Sequence, residues 1–252
     1  MKRVLGVLVR LFFGGLIIIL VAFVIAFAVL HEDMPEPIEG SNGDELALDM
    51  LEALNVEAWN NTRYIRWNFP GGHHYVWDKQ THIVEVKWND NRVILQTKNP
   101  SNGIAWVNGE STKSAELIST AWGFFCNDSF WLSAPFKVMD PGTERSVVRQ
   151  DEEGSSLMVK YTSGGTTHGD VYVWHLDKKG MPYEYQMWVD IIPIGGIKAA
   201  WTGWEELSSG AMISTSKNLI NAIPLDISPV QSGNSLEDLG LPLKYFSADS
   251  TL

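Results

Sequence analysis

The chain has 252 residues, of which 30 are acidic and 19 are basic, so its formal net charge at pH 7 is −11. Such a surface repels nucleic acid and anionic lipid head groups, which excludes both as expected partners. The only cysteine, Cys126, excludes an internal disulfide, so the core has to hold the fold together. The most unusual feature is the set of eleven tryptophans, because each indole buries about 150–250 Å² when it is enclosed.

The first predicted element is the uncharged apolar stretch of residues 11–30, LFFGGLIIILVAFVIAFAVL. At about 1.5 Å of rise per residue, a helix of this length spans roughly 30 Å, the thickness of a bilayer's hydrocarbon core. Basic residues precede the stretch and acidic residues follow it, which places residues 1–10 in the cytoplasm as a basic tail. The sequence therefore predicts a single-pass signal anchor in the inner membrane, with the remaining chain in the periplasm.

The same stretch allows an alternative. Ala26-Phe27-Ala28 has the small-residue pattern of a signal-peptidase site, and cleavage near Ala28 would release a soluble periplasmic protein. The apolar region ahead of this pattern, residues 11–25, lies at the upper end of signal-peptide lengths, which favours the uncleaved anchor. A lipid-modified N-terminus is excluded because Cys126 is far from it.

Residues 31–43, HEDMPEPIEGSNG, predict a linker that lifts the domain off the membrane, because proline, glycine and acidic residues dominate. A short helix is predicted near residues 43–54, with Ser41 or Asn42 as its cap. Its apolar side chains recur at helical spacing, at Leu46, Met50, Leu51 and Leu54.

The main domain, residues 44–219, is predicted to be mainly β. Apolar and polar residues alternate in five short segments between residues 64 and 107, and in six more between residues 145 and 216. Turn sequences separate these segments at the spacing of an antiparallel meander. The tail over residues 220–252 contains three prolines and little periodicity, so it is predicted to be irregular.

A second helix is predicted over residues 111–131, where the alternation stops. Residues 127–129, Asn-Asp-Ser, are expected to interrupt or cap it. The fold class is therefore an antiparallel open half-barrel of about eleven strands with two covering helices, preceded by the transmembrane helix.

The order of an export signal, a helix, five strands, a helix and six strands resembles the LolA/LolB-like lipoprotein-carrier superfamily over residues 45–216. The segment NDSFWL at residues 127–132, followed by DPG at residues 140–142, is also similar to envelope proteins of unassigned function from Gram-negative bacteria. The resemblance implies an open half-barrel whose concave face is aromatic and takes up acyl chains. No functional residue of that superfamily matches a position in this chain. The predicted anchor and the missing N-terminal cysteine depart from its pattern.

Six tryptophans are the candidate ligand-binding residues. Four lie on successive predicted strands, where they can form one continuous patch, and two lie in the second predicted helix; they are Trp67, Trp77, Trp88, Trp106, Trp122 and Trp131. The alternative is a solid core beneath that helix, as is usual for aromatic residues in a covered sheet. Exposed indoles would also suit stacking against sugar rings.

Signals of catalysis and of metal binding are weak. The sequence contains no G-x-S-x-G, Walker, H-E-x-x-H or G-x-G-x-x-G motif, so we predict no catalytic residue, no metal and no cofactor. A triad of Ser129, Asp128 and His168 has no support from spacing. His73 and His74 are neighbours on one strand and point to opposite faces, so polar surface positions are favoured over a metal site.

Three functions remain. The first is a non-enzymatic, membrane-anchored domain that binds a lipid or a lipidated protein in an aromatic groove, stabilised by about 0.8 kcal/mol per buried CH₂ group. The second is a structural or protein-interaction module of an envelope complex without a ligand cavity. The third is an enzyme acting on glycans or lipids, which requires carboxylates that converge in a groove. The presence of a cavity of at least about 300 Å³, and the chemical groups that line it, would distinguish these three functions.

Overall fold

A computed structural model of the chain describes residues 2–163 and 169–246. Its α-helices are α1 (Lys2–Leu30), α2 (Gly43–Ala53), α3 (Val56–Asn61) and α4 (Ala115–Ser133). Two short 3₁₀ helices are also present, at Ala134–Lys137 and Glu237–Leu239.

α1 contains the predicted apolar segment. Residues Arg10–Leu30 have a mean hydropathy of 3.1, and none of the most apolar part is buried against the rest of the protein. By length and composition this helix can cross a bilayer, a property that it shares with signal sequences near an N-terminus. The predicted N-terminal apolar helix is therefore present.

The strands of the first sheet, sheet 1, are β1 (Tyr64–Phe69), β2 (His73–Asp78), β3 (Ile83–Trp88), β4 (Asn91–Gln96), β5 (Asn99–Val107), β6 (Glu110–Thr112) and β14 (Val230–Gly233). All pairs are antiparallel, in the order β14-β1-β2-β3-β4-β5-β6. Tight turns join β1 to β6, which is the meander that the alternating pattern predicts.

The second sheet, sheet 2, contains β7 (Thr143–Gln150), β8 (Ser155–Tyr161), β9 (Val171–Leu176), β10 (Pro182–Trp188), β11 (Ile197–Glu206), β12 (Met212–Leu219) and β13 (Ile223–Asp226). These strands pair in chain order from β7 to β13. Residues 227–229 connect β13 directly to β14, so the sheets adjoin at these edges. In the described part of the chain neither sheet closes into a barrel, which confirms the predicted open, mainly β class.

The described residues form fourteen strands, three more than the alternation predicts. The additional strands are the short β6, β13 and β14. The last two lie at Ile223–Asp226 and Val230–Gly233, inside the tail that the sequence assigns to irregular structure. Pro224 and Pro229 interrupt the alternation of apolar and polar residues that would predict these strands. A strand at the edge of a sheet tolerates proline because its outer side needs no N–H donor.

α4 lies between the inner faces of the two sheets. Its Phe125 contacts Trp77 of β2 with ring centroids 5.3 Å apart, and its Phe130 contacts Tyr172 of β9 at 4.9 Å. Buried apolar residues of both sheets, α2 and α4 form one continuous core. The helix runs unbroken through residues 127–129, so the expected interruption there is wrong. The apolar residues on both sides of this tripeptide keep the helix packed, which outweighs its local preference for a cap.

α2 begins where the sequence predicts. The Asn42 side-chain oxygen accepts a hydrogen bond from the Glu45 N–H at 3.2 Å, which caps the helix. A Cβ atom at Gly43 would lie 2.5 Å from the Arg145 carbonyl carbon of β7, so only glycine allows this contact. The short α3 that follows is not predicted by the sequence.

Candidate functional site

A groove opens at the edge of sheet 1, where β5, β6 and the first turns of α4 meet. β6 is short and pairs with residues 105–107 of β5. Within the described chain, residues 99–104 of β5 therefore have no strand partner on this side. The Ser114 hydroxyl oxygen accepts a hydrogen bond from the Leu117 N–H at 3.2 Å and starts α4 beside this open edge. We call the space between these two walls the β5–α4 groove.

The β5–α4 groove has a volume of about 790 Å³. Small-molecule sites commonly measure about 300–1,000 Å³, so the groove has room for a ligand. Apolar side chains line it at Pro100, Ile104, Ala115, Ile118 and Trp122. Hydroxyl groups and one amine line the rest, at Ser101, Ser111, Thr112, Lys113, Ser114 and Ser119. No carboxylate is present among the lining residues, so the groove offers no acid–base pair.

Gly103 lies where the two walls approach each other closely. A Cβ atom at this position would lie 3.1 Å from the Leu95 Cβ and 3.3 Å from the Ile118 Cγ2 of α4. Both separations are tighter than ordinary van der Waals contact, so a larger residue would require its neighbours, including Ile118, to shift by a few tenths of an ångström. The glycine therefore lets α4 approach β5 closely beside the groove.

Three of the six predicted ligand-binding tryptophans face α4 from the inner side of sheet 1. Trp67 is fully buried. Trp77 packs edge-on against Phe125 of α4 at 5.3 Å, and Trp88 packs edge-on against Phe124 at 5.5 Å. In this structure α4 fills the space beside all three indoles.

Trp106 does not join these three residues. The register of β4 and β5 pairs it with Arg92, whose guanidinium lies 4.6 Å from the centroid of the indole. Because Val93 and Ala105 face the core, their neighbours Arg92 and Trp106 face the opposite side of sheet 1. The continuous patch on successive strands is therefore interrupted at its fourth member.

The two helical tryptophans lie at different places. Trp122 lines the β5–α4 groove and packs against Phe125 at 5.9 Å. Trp131 lies about two and a half turns later and contacts Tyr185 of sheet 2 at 5.6 Å. Of the predicted set, Trp122 is the residue that the structure places in the groove.

A buried polar network between β2 and α4 was missed by the sequence reasoning. Asp128 is 2 % exposed and accepts hydrogen bonds from His73 Nδ1 at 2.7 Å and from the Tyr75 hydroxyl. The Asn127 amide donates to its second oxygen at 2.8 Å. Burial, together with the Asp128 charge, raises the pKa of Tyr75, which keeps this phenol protonated as a donor. The network therefore ties α4 to sheet 1.

Two features of the sequence could have revealed this network. His73 and Tyr75 are two residues apart on one strand, so they share a face, and that face is the apolar one. Asp128 is a lone carboxylate in an apolar helical run, and a buried carboxylate needs donors. Together these features indicate a contact between the strand and the helix.

Lys217 is a second feature that the sequence reasoning missed. It lies on the inner face of sheet 2 opposite Trp201, with its Nζ 4.6 Å from the centroid of that indole. The Nζ donates to the Ser214 carbonyl oxygen at 2.5 Å. Burial lowers the pKa of Lys217 to about 7. The inner face of sheet 2 therefore contains an amine that titrates near neutral pH.

Unpartnered donors occur on the inner faces of both sheets. Four buried indole N–H groups have no hydrogen-bond partner among the described residues: those of Trp67, Trp77, Trp174 and Trp201. An indole nitrogen can only donate. The interior therefore contains indole donors that no described group accepts.

Among the described residues, no three potential metal ligands lie close enough together to hold a metal ion. His73 is bonded to Asp128, and His74 Nδ1 lies 2.7 Å from the Asn68 side-chain oxygen. Burial raises the pKa of the Cys126 thiol to about 11, which keeps it protonated at neutral pH. His168, a member of the unsupported triad, lies outside the described residues.

A second pocket, of about 620 Å³, lies between α2 and two turns of sheet 2. Its carboxylates include Asp49, Glu52 and Asp151. The guanidinium of Arg149 donates to Asp151 and lowers the pKa of that carboxyl to about 2. A carboxyl group that stays ionised is unsuited to act as a general acid.

Comparison with known proteins assigns no family. No family model matches the sequence, and no curated protein shows significant similarity to it. A DUF1329 family protein from Desulfovibrio piger is similar in structure, with a TM-score of 0.45 and 13% identity over 86% of this chain and 100% of that chain. A putative outer membrane lipoprotein-sorting protein domain from Vibrio parahaemolyticus has a TM-score of 0.37 and 8% identity over 81% of this chain and 98% of that chain. Both TM-scores are below 0.5, so neither likeness assigns a function.

Proposed function

We propose that this chain is an exported, non-enzymatic domain that is held in the inner membrane by α1. It binds an acyl chain of a lipid or of a lipidated protein in the β5–α4 groove. The observation that carries the proposal is the groove itself. Its volume is about 790 Å³, its apolar lining comes from both walls, and no carboxylate lines it.

The physical basis of binding is the removal of apolar surface from water. Each CH₂ group of an acyl chain that enters the groove contributes about 0.8 kcal/mol. Ile104, Ile118 and Trp122 supply the apolar contact, and the hydroxyl groups and Lys113 at the start of α4 can bond the oxygen atoms of an ester or a carboxylate. A ligand with an apolar chain and a polar head matches this lining.

The open edge of β5 favours a second candidate function. Residues 99–104 have backbone groups without a strand partner on the groove side of the described chain. An extended peptide can pair with such an edge and place alternate side chains in a neighbouring groove. On this view the protein is an interaction module of an envelope complex, and the occupant is a polypeptide.

A photoactivatable fatty acid tests the first function. The full chain is placed in phosphatidylcholine nanodiscs with a diazirine-labelled fatty acid, irradiated, digested and mapped by mass spectrometry. We expect labelled peptides from residues 99–122. Ser119→Trp should abolish this labelling, because Ser119 is exposed on the groove wall and an indole there fills the space.

Glu116→Trp is the matched control, since Glu116 is exposed on the same helix and does not line the groove. It should label as strongly as the unmodified chain. Equal labelling of the Ser119→Trp variant would refute acyl binding in the groove. An unmodified chain without labelled peptides from residues 99–122 would also refute it and would leave the interaction module as the candidate function.

A further inference from the structure

The residues that directly follow α1 are bonded to sheet 2. The Glu32 N–H donates to the Gly195 carbonyl oxygen at 2.9 Å, and the Gly195 N–H donates to His31 Nδ1 at 3.0 Å. The indole N–H of Trp188 donates to the Glu32 carbonyl oxygen at 2.9 Å. The predicted linker therefore begins with a segment that is fixed to the loop between β10 and β11.

Side chains strengthen the same junction. The Glu32 carboxylate accepts a hydrogen bond from the Gln186 amide at 2.7 Å and pairs with Lys198 Nζ at 2.8 Å. The bond from Lys198 lowers the pKa of Glu32, so the carboxylate is ionised at neutral pH. Both partners lie on strands of sheet 2, at the ends nearest this loop.

Two glycines make this close contact possible. A Cβ atom at Gly195 would lie 2.5 Å from the Trp188 ring, and one at Gly196 would lie 2.6 Å from the Glu32 Cβ. Gly196 also has a φ of +78°, in the left-handed region that favours glycine. The pair Gly195-Gly196 is therefore required by the junction, in addition to being a turn signal.

The distance from the end of α1 to this loop is short. Glu32 is the second residue after Leu30, and an extended chain spans at most about 3.6 Å per residue, so Glu32 lies within about 7 Å of the helix end. The interfacial layer of a bilayer is about 5–8 Å thick on each side. If α1 crosses the membrane, the loop between β10 and β11 cannot be far from the lipid surface.

Exposed apolar side chains occur at this same end of sheet 2. In an antiparallel meander every second connection lies at one end, so residues 139–142, 189–196 and 220–222 share an end. Ile191 is 77% exposed and Ile223, beside the last of these turns, is 54% exposed. Met139 is 39% exposed in the first. Three large apolar side chains are therefore exposed at the end of sheet 2 that α1 enters, with Ile191 in the loop bonded to the residues after α1 and Met139 and Ile223 at opposite edges of the sheet.

We propose that this end of sheet 2 rests on the outer surface of the membrane that α1 crosses, with Ile191 and Ile223 in the interfacial layer. The inference rests on the anchoring part of the proposed function and names the bilayer itself as the partner of this surface. Asp190 and Asp140 lie beside the apolar residues, so the surface suits a zwitterionic bilayer better than an anionic one. The domain is therefore held against the membrane in one orientation.

Depth-dependent fluorescence quenching tests this orientation. The full chain carries Cys126→Ser and Ile191→Cys, is labelled with an environment-sensitive fluorophore, and is reconstituted in phosphatidylcholine vesicles that contain nitroxide-labelled lipid. The matched control carries the label at Lys178→Cys, an exposed position in the turn between β9 and β10 at the opposite end of sheet 2. We expect blue-shifted emission and several-fold stronger quenching at position 191 than at position 178.

Glu32→Lys provides a second test, because it places two cations together at the junction with Lys198. In the Ile191→Cys background this change should reduce the quenching toward the level at position 178. A chain that floats with the vesicles and is quenched equally at both positions refutes the surface contact alone. A chain that does not float with the vesicles refutes the anchor, and with it this contact. Labelling of the groove by the fatty acid is measured separately, so its failure is distinguishable from both results.

Discussion

Lys217 is a lysine in an environment unusual for its type, the buried core beside sheet 2. It is 0% exposed, and the groups around its amine are the Ser214 carbonyl, the Trp201 ring and, farther away, Asp226. Burial lowers its pKa from 10.5 to about 7. At about 1.4 kcal/mol per pKa unit, the charged form destabilises the fold by up to about 5 kcal/mol.

Replacement of Lys217 by methionine should therefore stabilise the protein, most strongly at and below neutral pH. Between pH 7 and 10.5 the unfolded lysine binds a proton and the folded lysine does not, so the unmodified chain gains stability as the pH rises. The difference between Lys217→Met and the unmodified chain should accordingly shrink over this range. Denaturant unfolding of both chains from neutral pH to about pH 10 measures this difference in the free energy of unfolding. A difference that is independent of pH would contradict the buried, titrating amine.

Asp128 illustrates the opposite case, a buried charge with good partners. Asp128→Ala leaves His73 and Tyr75 without their acceptor, so it should lower the free energy of unfolding by about 2–4 kcal/mol. Asp140→Ala is the matched control, because Asp140 is exposed and its pair with Lys137 spans 3.5 Å. That variant should change stability by less than about 0.5 kcal/mol. Similar losses in the two variants, measured by denaturant unfolding, would show that the network does not stabilise the fold.

At the scale of elements, two glycines allow the effect of packing on stability to be measured apart from the effect of helix propensity. Gly103 of β5 lies against Ile118 of α4, whereas nothing lies within 4 Å of a Cβ atom placed at Gly123 of α4. Gly103→Ala should destabilise the protein by about 1–3 kcal/mol through overpacking. Gly123→Ala should stabilise it by about 0.5–1 kcal/mol through helix propensity. Thermal unfolding of both variants measures this, and a neutral Gly103→Ala would show that the contact between helix and strand is loose.

The elements that the sequence predicts well are those with a strong local period. The strands from Tyr64 to Val107 alternate clearly, and α2 has a cap and an apolar stripe, so the sequence places both close to their actual positions. β13 and β14 were missed because each has only four residues and a proline lies in or beside it. Their strand structure depends on tertiary pairing at a sheet edge, which no local pattern encodes.

The candidate site was less predictable than the fold for a related reason. Indole-rich strands indicate a buried aromatic surface, but they do not show what covers it. In the structure α4 fills the space against Trp67, Trp77 and Trp88, and the groove forms beyond them, at the open edge of β5. That edge is open because β6 is only three residues long. The length of β6 depends in turn on where the chain leaves sheet 1 to form α4. Trp122 lines the groove because it lies on that helix, and its role in ligand binding stays a prediction.

At the scale of the whole molecule, the two sheets depend on each other. α4 contributes Phe125 to sheet 1 and Trp131 to sheet 2, and the buried residues of both sheets belong to one core. The chain also returns from β13 to β14, so the last strand of sheet 1 is made only after all of sheet 2. Neither sheet has a complete core of its own, and we expect the domain to unfold as one cooperative unit.

Hydrogen–deuterium exchange measured by mass spectrometry tests this cooperativity in the full chain in detergent micelles. Gly103→Ala perturbs the contact of α4 with sheet 1. If the domain is one unit, the variant should lower protection in peptides from β9 and β10 of sheet 2 as much as in those from β3 and β4 of sheet 1. Lys217→Met, which acts in sheet 2, should raise protection in both sheets. An effect of either variant that stays within its own sheet would mean that the sheets open independently. The groove, which is formed by sheet 1 and α4 alone, would then not need sheet 2 to hold its shape.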